Sequence, residues 1–501
     1  MAVSPESAKS SIRNPNLYFP AMSPSPDLTP AEFREHGRSV IDWIAGYLET
    51  PGKFPVLPDL EPGTLLRAVP KSPPDRGEPM AAILADFERI VVPFTTHWNH
   101  PDFMAYFANS GTASGILGET LTAALNVNAM LWRTGPAATE LEQVTLDWLR
   151  QMLGLPSSFF GTITDTASSS ILYALAAARE LHPELRIRED GMSGRPDLPR
   201  IAIYCSEEAH SSVDKAAMTL GFGLRGVRKI PTDSGLRMNP DALAAAIRSD
   251  RTEGMLPLAV VATVGTTSTT AVDPVPVIAE ICSREKLWLH VDASYAGTAG
   301  ILPEMRHILD GCERAHSFVV NPHKWLFTPM DCSALYTSRP DLLRRAFQHI
   351  PDYLTVSGSQ DSVNLMDYGI SLGRRFRALK LWFVIRSFGV EGLQSLVREH
   401  IRLARLLSTW IDEDPELERM ADAQFSTVVF RHRPPGLEEE ALDAHNSRLL
   451  ERVNGSREIF LSHTRVRGSY ALRIAIGNIH TAESHVRRAL DIVKRESSRA
   501  S

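Results

Sequence analysis

The sequence predicts an α/β protein, a mostly parallel central sheet covered by helices, and three observations carry that prediction. From about residue 113 short β-branched runs alternate with helical stretches, the order that builds parallel strands joined by helical crossovers. The runs IAIYCS at 201, LAVVATVG at 258, LWLHVDAS at 287, SFVVNP at 317 and SALYTS at 333 read as strands of a sheet covered on both faces. The polar residues of interest fall just after these runs, and ligands of such sheets sit at the carboxyl ends of the strands.

Taken in chain order, residues 1–27 are rich in Pro and Ser without apolar periodicity and read as a flexible tail. Residues 28–112 read as a helical arm, for which a partner subunit, and so dimerisation, is one candidate. Thr29 caps, Pro30 suits the first helical position, and Glu32 completes a capping box. Phe33, Val40, Ile41, Ile44 and Leu48 then recur at helical spacing, so this helix has a face to bury. The proline-rich residues 51–79 that follow read as an extended arm, and an arm and helix without a core of their own pack on another body. Residues 113–379 form the large domain. Residues 380–501 form a small α+β domain: a long helix from LKLWFVIRSF, the strands STVVF and YALRIAIG, and a last helix from Ala482.

Composition narrows the function. A hydrophobic share of 43%, a charged share of 22% and a net charge of -6 describe a globular protein without a nucleic-acid footprint, so small molecules are the expected ligands. The four cysteines, Cys205, Cys282, Cys312 and Cys332, make no CxxC pair and read as reduced thiols, with no metal site. No apolar leader opens the chain and no run reaches about 18 apolar residues, so the expectation is a cytoplasmic protein with no membrane association. The chain carries 44 arginines and only nine lysines. A lysine in a special place therefore stands out, because it can lose its proton and become a nucleophile, whereas arginine stays charged.

Lys324 stands in such a place, between the apolar runs of SFVVNPHKWLF. An ammonium there costs free energy to desolvate unless it is paired or gives up its charge in a bond. Asp292 ends a buried-type strand and calls for a cation such as a protonated pyridine nitrogen. In TDTASSSILYALAAARE a strand end meets a helix start, with Thr166 and Ser168 beside free amides that suit a phosphate. Thr267 stands at a further strand end, and His210 at a loop-to-helix transition. Singly, each segment also fits a bland reading: a snorkelling lysine, a turn-capping aspartate, ordinary hydroxyl caps, a packing histidine. Together they make one site with an amine for an aldehyde, a carboxylate for a ring nitrogen, a phosphate cradle and a flat imidazole, which are the needs of pyridoxal 5'-phosphate.

The order and spacing of these segments also resemble a known family, the group II pyridoxal-phosphate decarboxylases, and most closely the aromatic L-amino-acid decarboxylases, over roughly residues 28–496. TPAEFREHGRSVIDWIAGYLE, THWNHPDFMAYF, TELEQVTLDWL, AHSSVDKA, LHVDASYAG, NPHKWL and GRRFRALKLWFV carry the resemblance. It implies fold type I, the aspartate-aminotransferase type, and a homodimer whose active sites draw on both subunits. It implies that Lys324 bonds the cofactor's aldehyde, that Asp292 meets the pyridine nitrogen and that His210 stacks on the ring and approaches the substrate. Ala167, Ser168, Thr267, Asn321 and His323 are then the residues at the phosphate or the ring substituents. Tyr353, in HIPDYLTVSGSQDS, is the implied general acid that protonates Cα. Trp98, Tyr106, Phe107, Leu131 and Trp132 resemble the family's side-chain pocket. Asn109 stands where animal members carry threonine near the substrate carboxylate, and Gly373 where plant members carry glycine or serine. TDTASSS departs from the family's more usual phosphate segment.

The expected activity is decarboxylation of an aromatic amino acid, of tryptophan, phenylalanine, tyrosine or dihydroxyphenylalanine type, to its amine and carbon dioxide. Two other readings remain. One is an aldehyde synthase, which adds oxidative deamination; by resemblance such enzymes tend to replace the lid tyrosine or the stacking histidine, and both Tyr353 and His210 are present here. The other is a cofactor-binding protein without turnover.

Overall fold

The computed structural model describes residues 27–349 and 362–499. Its first helix, Pro30–Glu49, begins where the capping box requires: the Glu32 N–H donates to Thr29 Oγ1 at 3.3 Å and the Glu32 carboxylate accepts from the Thr29 N–H at 2.8 Å. None of its residues is buried, and Phe33 is 67% exposed. The apolar face that the sequence required to be covered is therefore uncovered in this chain. The chain divides into two units, residues 1–50 with 61–93 and residues 51–60 with 94–501. Within the described part of the first unit, Trp43 stacks on Tyr47 at 5.4 Å and meets Phe87 edge-on at 4.9 Å. Residues 51–79 are not one extended arm: Pro51–Lys53 makes a turn of 3-10 helix and Thr64–Ala68 a short α-helix.

Among the described residues, the strands of the second unit form two sheets. The larger contains β1 (Phe160–Thr164), β2 (Ile201–Ser206), β3 (Val227–Ile230), β4 (Leu256–Thr263), β5 (Trp288–Asp292), β6 (Ser317–Val320) and β7 (Ser333–Thr337), in the order β1-β7-β6-β5-β4-β2-β3. β7 runs antiparallel to both its neighbours, and the pairs from β6 to β3 are parallel. β2, β5, β6 and β7 are buried along their whole length, as strands covered on both faces are. Registers Thr263↔Asp292 and Asp292↔Val319 align the carboxyl ends of β4, β5 and β6, so the residues after them converge.

The smaller sheet is antiparallel, in the order β10-β11-β9-β8, with β8 at Leu417–Arg419, β9 at Thr427–His432, β10 at Ser462–Val466 and β11 at Ser469–Ala475. Its core joins Val428, Phe430, Leu472 and Ile474 to Leu449, Val453, Val486 and Leu490 of two helices. Helix Ala378–Asp412 serves both cores: Leu381, Val384 and Ile401 pack with the large sheet, and Leu403, Leu407 and Ile411 with the small one. It bends at Gly389, whose φ of 64° is open to glycine. The four cysteines are free and buried. Among the described residues no helix is long and apolar enough to cross a membrane.

Buried histidines make this fold acid-sensitive. Desolvation pushes His100, His316, His323 and His400 down from 6.5 to about 4, so each stays neutral while folded. Between those two values the unfolded chain binds more protons, and stability falls as pH is lowered through that window. Asp273 acts with the opposite sign: burial pushes it up from 3.8 to about 6, so the folded state holds its proton in that interval. Among the groups with the largest shifts the histidines outnumber Asp273. The melting temperature of the cofactor-free protein is expected to fall reversibly between about pH 7 and about pH 5; a flat or rising value contradicts this balance.

Candidate active site

The ends of the parallel strands open into one cavity of about 540 Å³. From β1 come Thr166, Ala167 and Ser168, at the amino terminus of helix Ala167–Arg179. Thr166 takes the N-cap position without a side-chain cap bond, so the first amides of this 13-residue helix remain available to an anion. From β2 comes His210, from β4 Thr263, Gly265 and Thr267, from β5 Asp292, and from β6 Asn321, His323 and Lys324. The sequence assigned nearly all of these to one site, and the fold brings them to one wall.

Lys324 sits in the one-turn helix Pro322–Trp325, between the fully buried Trp325 and Asn321. No hydrogen bond or ion pair reaches its Nζ among the described residues, and the ammonium lies 5.1 Å from the centroid of the Phe107 ring. Burial lowers its pKa; the Asp292 carboxylate opposes that shift and the Arg473 guanidinium adds to it. The apolar flanks do what the sequence suggested: Trp325 and Phe327 are fully buried, and Trp325 Nε1 donates to His400 Nδ1 at 3.0 Å.

Asp292 is 7% exposed, and its Oδ1 accepts from both the amide, at 3.1 Å, and the hydroxyl of Ser294. Among the described residues no cation pairs with it. His210 Nδ1 accepts the Ser212 N–H at 3.2 Å and stands 2.8 Å from the Ser212 hydroxyl, so the neutral ring carries its proton on Nε2. Burial lowers the His210 pKa, with Asp292 opposing and Lys324 assisting. His323 is fixed the same way, its Nδ1 accepting the Cys332 N–H at 2.9 Å. Asn321 Oδ1 accepts from Ser333 Oγ at 2.7 Å, and that hydroxyl stands 3.2 Å from Ser170 Oγ.

The opposite wall is aromatic. Trp98 stacks on Tyr106 at 6.1 Å and lies 4.2 Å from Phe103, while Phe460 meets Tyr106 edge-on at 5.8 Å. Phe107 stacks on Tyr295 at 3.8 Å, and Tyr295 on Trp325 at 4.8 Å. Asn109 also lines the cavity, its amide nitrogen 3.5 Å from the Met330 sulfur. Leu131, Trp132 and Gly373 do not line it in this chain. They lie together elsewhere, where Arg374 N–H donates to Asn128 Oδ1 at 3.0 Å, Trp132 N–H to Asn364 Oδ1 at 3.3 Å, and a buried Arg374–Glu142 ion pair at 2.8 Å anchors the segment. Tyr353 lies outside the described residues.

Sequence reasoning missed Arg473, on β11. It is 3% exposed, it lines the cavity, and desolvation lowers its pKa to about 10. No carboxylate pairs with it among the described residues, and its Nη2 has no hydrogen-bond partner. A buried donor left unmade costs about 1–3 kcal/mol. The one sequence signal was an arginine in the otherwise apolar run YALRIAIG.

The cavity thus holds an amine, a carboxylate and a helix amino terminus, none of them paired with an opposite charge among the described residues. A group with an aldehyde, a protonated ring nitrogen and a phosphate fits all three, and pyridoxal phosphate is such a group. Comparison with known proteins agrees. Residues 62–433 match the family profile described as the pyridoxal-dependent decarboxylase conserved domain. The chain is similar to a phenylacetaldehyde synthase of a Rosa hybrid cultivar, at 39% identity over 93% of this chain and 94% of that one. It is equally similar to tyrosine decarboxylase 4 of Petroselinum crispum, at 39% identity over 94% of each. Among solved structures it resembles Oryza sativa TDC with PLP and tryptamine, at a TM-score of 0.90 and 37% identity, covering 95% of this chain and 99% of that one.

Proposed function

The chain belongs to the pyridoxal-dependent decarboxylases, and on that premise we propose that it converts an aromatic L-amino acid to its arylalkylamine and carbon dioxide. The observation that carries this reading is that Lys324 and Asp292, neither of them in an ion pair among the described residues, share one wall and the aromatic groups Trp98, Tyr106 and Phe107 form the other.

When bound, pyridoxal phosphate supplies an aldehyde to capture the substrate's amine and a ring that draws off the electrons of the broken bond. Each residue then has a task. Lys324, whose proton affinity burial lowers, would be the residue that holds the aldehyde. Asp292 keeps a proton on the ring nitrogen. Ala167 and Ser168 offer amides, and Thr166 and Thr267 hydroxyls, to the phosphate, while Asn321 and His323 hold the ring side. His210 presents its Nε2–H to the cavity, a donor suited to the substrate's carboxylate, which Asn109 meets with its amide. Tyr353 is the proposed donor of the proton to Cα.

We also propose a homodimer in which Leu131, Trp132 and Gly373 reach the partner's cavity. Three features support it: the uncovered apolar face of helix Pro30–Glu49; the row Leu117, Leu121 and Leu125 on helix Ala113–Leu125, each about half exposed; and the exposed Ile370 and Leu372 beside Gly373. Four free, buried cysteines support a cytoplasmic setting.

Incubating the protein with a panel of amino acids while assaying carbon dioxide, amine, aldehyde and peroxide decides the reaction. The aldehyde-synthase relative makes the second reading a specific one: aldehyde and peroxide in equal yield, without amine, establish it. A kcat/KM highest for glutamate or histidine defeats the aromatic class. Gly373 gives a finer test. Among the described residues a Cβ there meets only Asn128 Nδ2, at 3.9 Å, so Gly373→Ser is expected to leave the fold intact. It is expected to lower activity on tryptophan more than on tyrosine, by up to about tenfold, since added bulk in a hydrophobic pocket is worth about 1–3 kcal/mol. An unchanged ratio removes Gly373 from the pocket.

A further inference from the structure

Tyr106 takes a φ of 52°, a left-handed conformation that side-chain-bearing residues rarely adopt, and its ring nevertheless forms part of the cavity wall. Two side chains from the small sheet hold it there. Its N–H donates to Ser462 Oγ at 3.3 Å, and its carbonyl accepts from Arg473 Nη1. The same guanidinium reaches two further segments. Nε donates to the Ser268 carbonyl at 3.2 Å, next to Thr267 on the loop that follows β4, and Cζ lies 4.5 Å from the centroid of Phe107. Phe107 also stacks on Tyr295 at 3.8 Å, so the guanidinium joins an aromatic group that is already packed.

We infer that Arg473 is a positioning residue that clamps the aromatic substrate wall, Tyr106 and Phe107, to the Thr267–Ser268 loop on the cofactor side, and so fixes the spacing between substrate ring and cofactor. The inference rests on the decarboxylase reading and names what sets the geometry of that site. The geometry requires an arginine. Its planar fork delivers donors in divergent directions while its face stacks on a ring, whereas a lysine offers a compact ammonium on a flexible stem, with no fixed fork and no face to stack. A residue needed only for its positive charge would tolerate the exchange.

The experiment compares Arg473→Lys and Arg473→Met in the holoenzyme, with Ser462→Ala as a milder variant that releases only the other tether on Tyr106. KM and kcat for an aromatic amino acid are measured beside the dissociation constant of pyridoxal phosphate. Binding of an aromatic amine is followed in parallel through the absorbance of the bound cofactor. The expected result is that lysine and methionine raise KM alike, by about tenfold or more, while cofactor affinity changes less, because a displacement near 1 Å at a reacting centre can cost about a hundredfold. Ser462→Ala is expected to raise KM in the same direction by a few-fold. A wild-type KM in Arg473→Lys overturns the clamp, since charge alone then suffices. Complete loss of cofactor in both arginine variants, or an unchanged KM in Ser462→Ala, also overturns it. If the wild type turns over no aromatic acid, the activity reading fails by itself, and amine binding across the variants still judges the clamp.

Discussion

Lys324→Ala is expected to lose the visible absorbance of the bound cofactor and to lower turnover by several orders of magnitude. The reason is positional as much as chemical. Lys324 Nζ has no partner among the described residues, faces Phe107 at 5.1 Å, and is the lysine of the cavity lining. Among the described lining residues no second amine stands ready to replace it, and Arg473 cannot, because a guanidinium does not give up its proton. The fold should survive, since among the described residues the Lys324 side chain makes no hydrogen bond or ion pair, and alanine keeps the backbone N–H that donates to the Asn321 carbonyl at 2.9 Å. The visible spectrum, turnover and melting temperature of the purified variant check this. Retained absorbance together with retained turnover refutes the assignment, and arginine at the same position should rescue neither.

Asp292→Asn is the second large effect. Asparagine keeps an oxygen for the Ser294 N–H, so the local hydrogen bonding at the end of β5 is preserved. What disappears is the negative charge that keeps a proton on the ring nitrogen. Removing one preorganised electrostatic contact typically costs about a hundredfold to a thousandfold in kcat. A sign argument separates this from an indirect effect through the lysine. The Asp292 carboxylate raises the Lys324 pKa, so its removal lowers that pKa further and leaves the amine more readily unprotonated. A fall in kcat therefore cannot come from a protonated lysine. A kcat within about tenfold of wild type would sink the role given to Asp292.

Much of this site was legible because its chemistry is local in sequence. NPHKWL, LHVDAS and TDTASSS each join an apolar strand to polar residues within a few positions, and the carboxyl edge of a parallel sheet then collects them. Thr29 to Glu32 is a capping box decided by residues three apart. Arg473 was not legible for the opposite reason. Its contact with Tyr106 spans 367 positions, and an arginine in a strand-like run carries no mark of what it touches. Phe460, which the sequence did not assign to the pocket, has the same origin: it pairs with Phe103 in an isolated bridge and meets Tyr106 edge-on, contacts that no local pattern marks.

The sequence alone determined the α/β class, the strand-end placement of Lys324, Asp292 and His210, and the cap of the first helix, because backbone periodicity and capping act over a few residues. The tertiary structure decided which side chains share a space. It placed Arg473 over Phe107, set the tautomer of His210 through the Ser212 N–H, and left Leu131, Trp132 and Gly373 off the cavity of their own chain. Burial and Coulomb interaction depend on distance in space, and distance along the chain does not fix it.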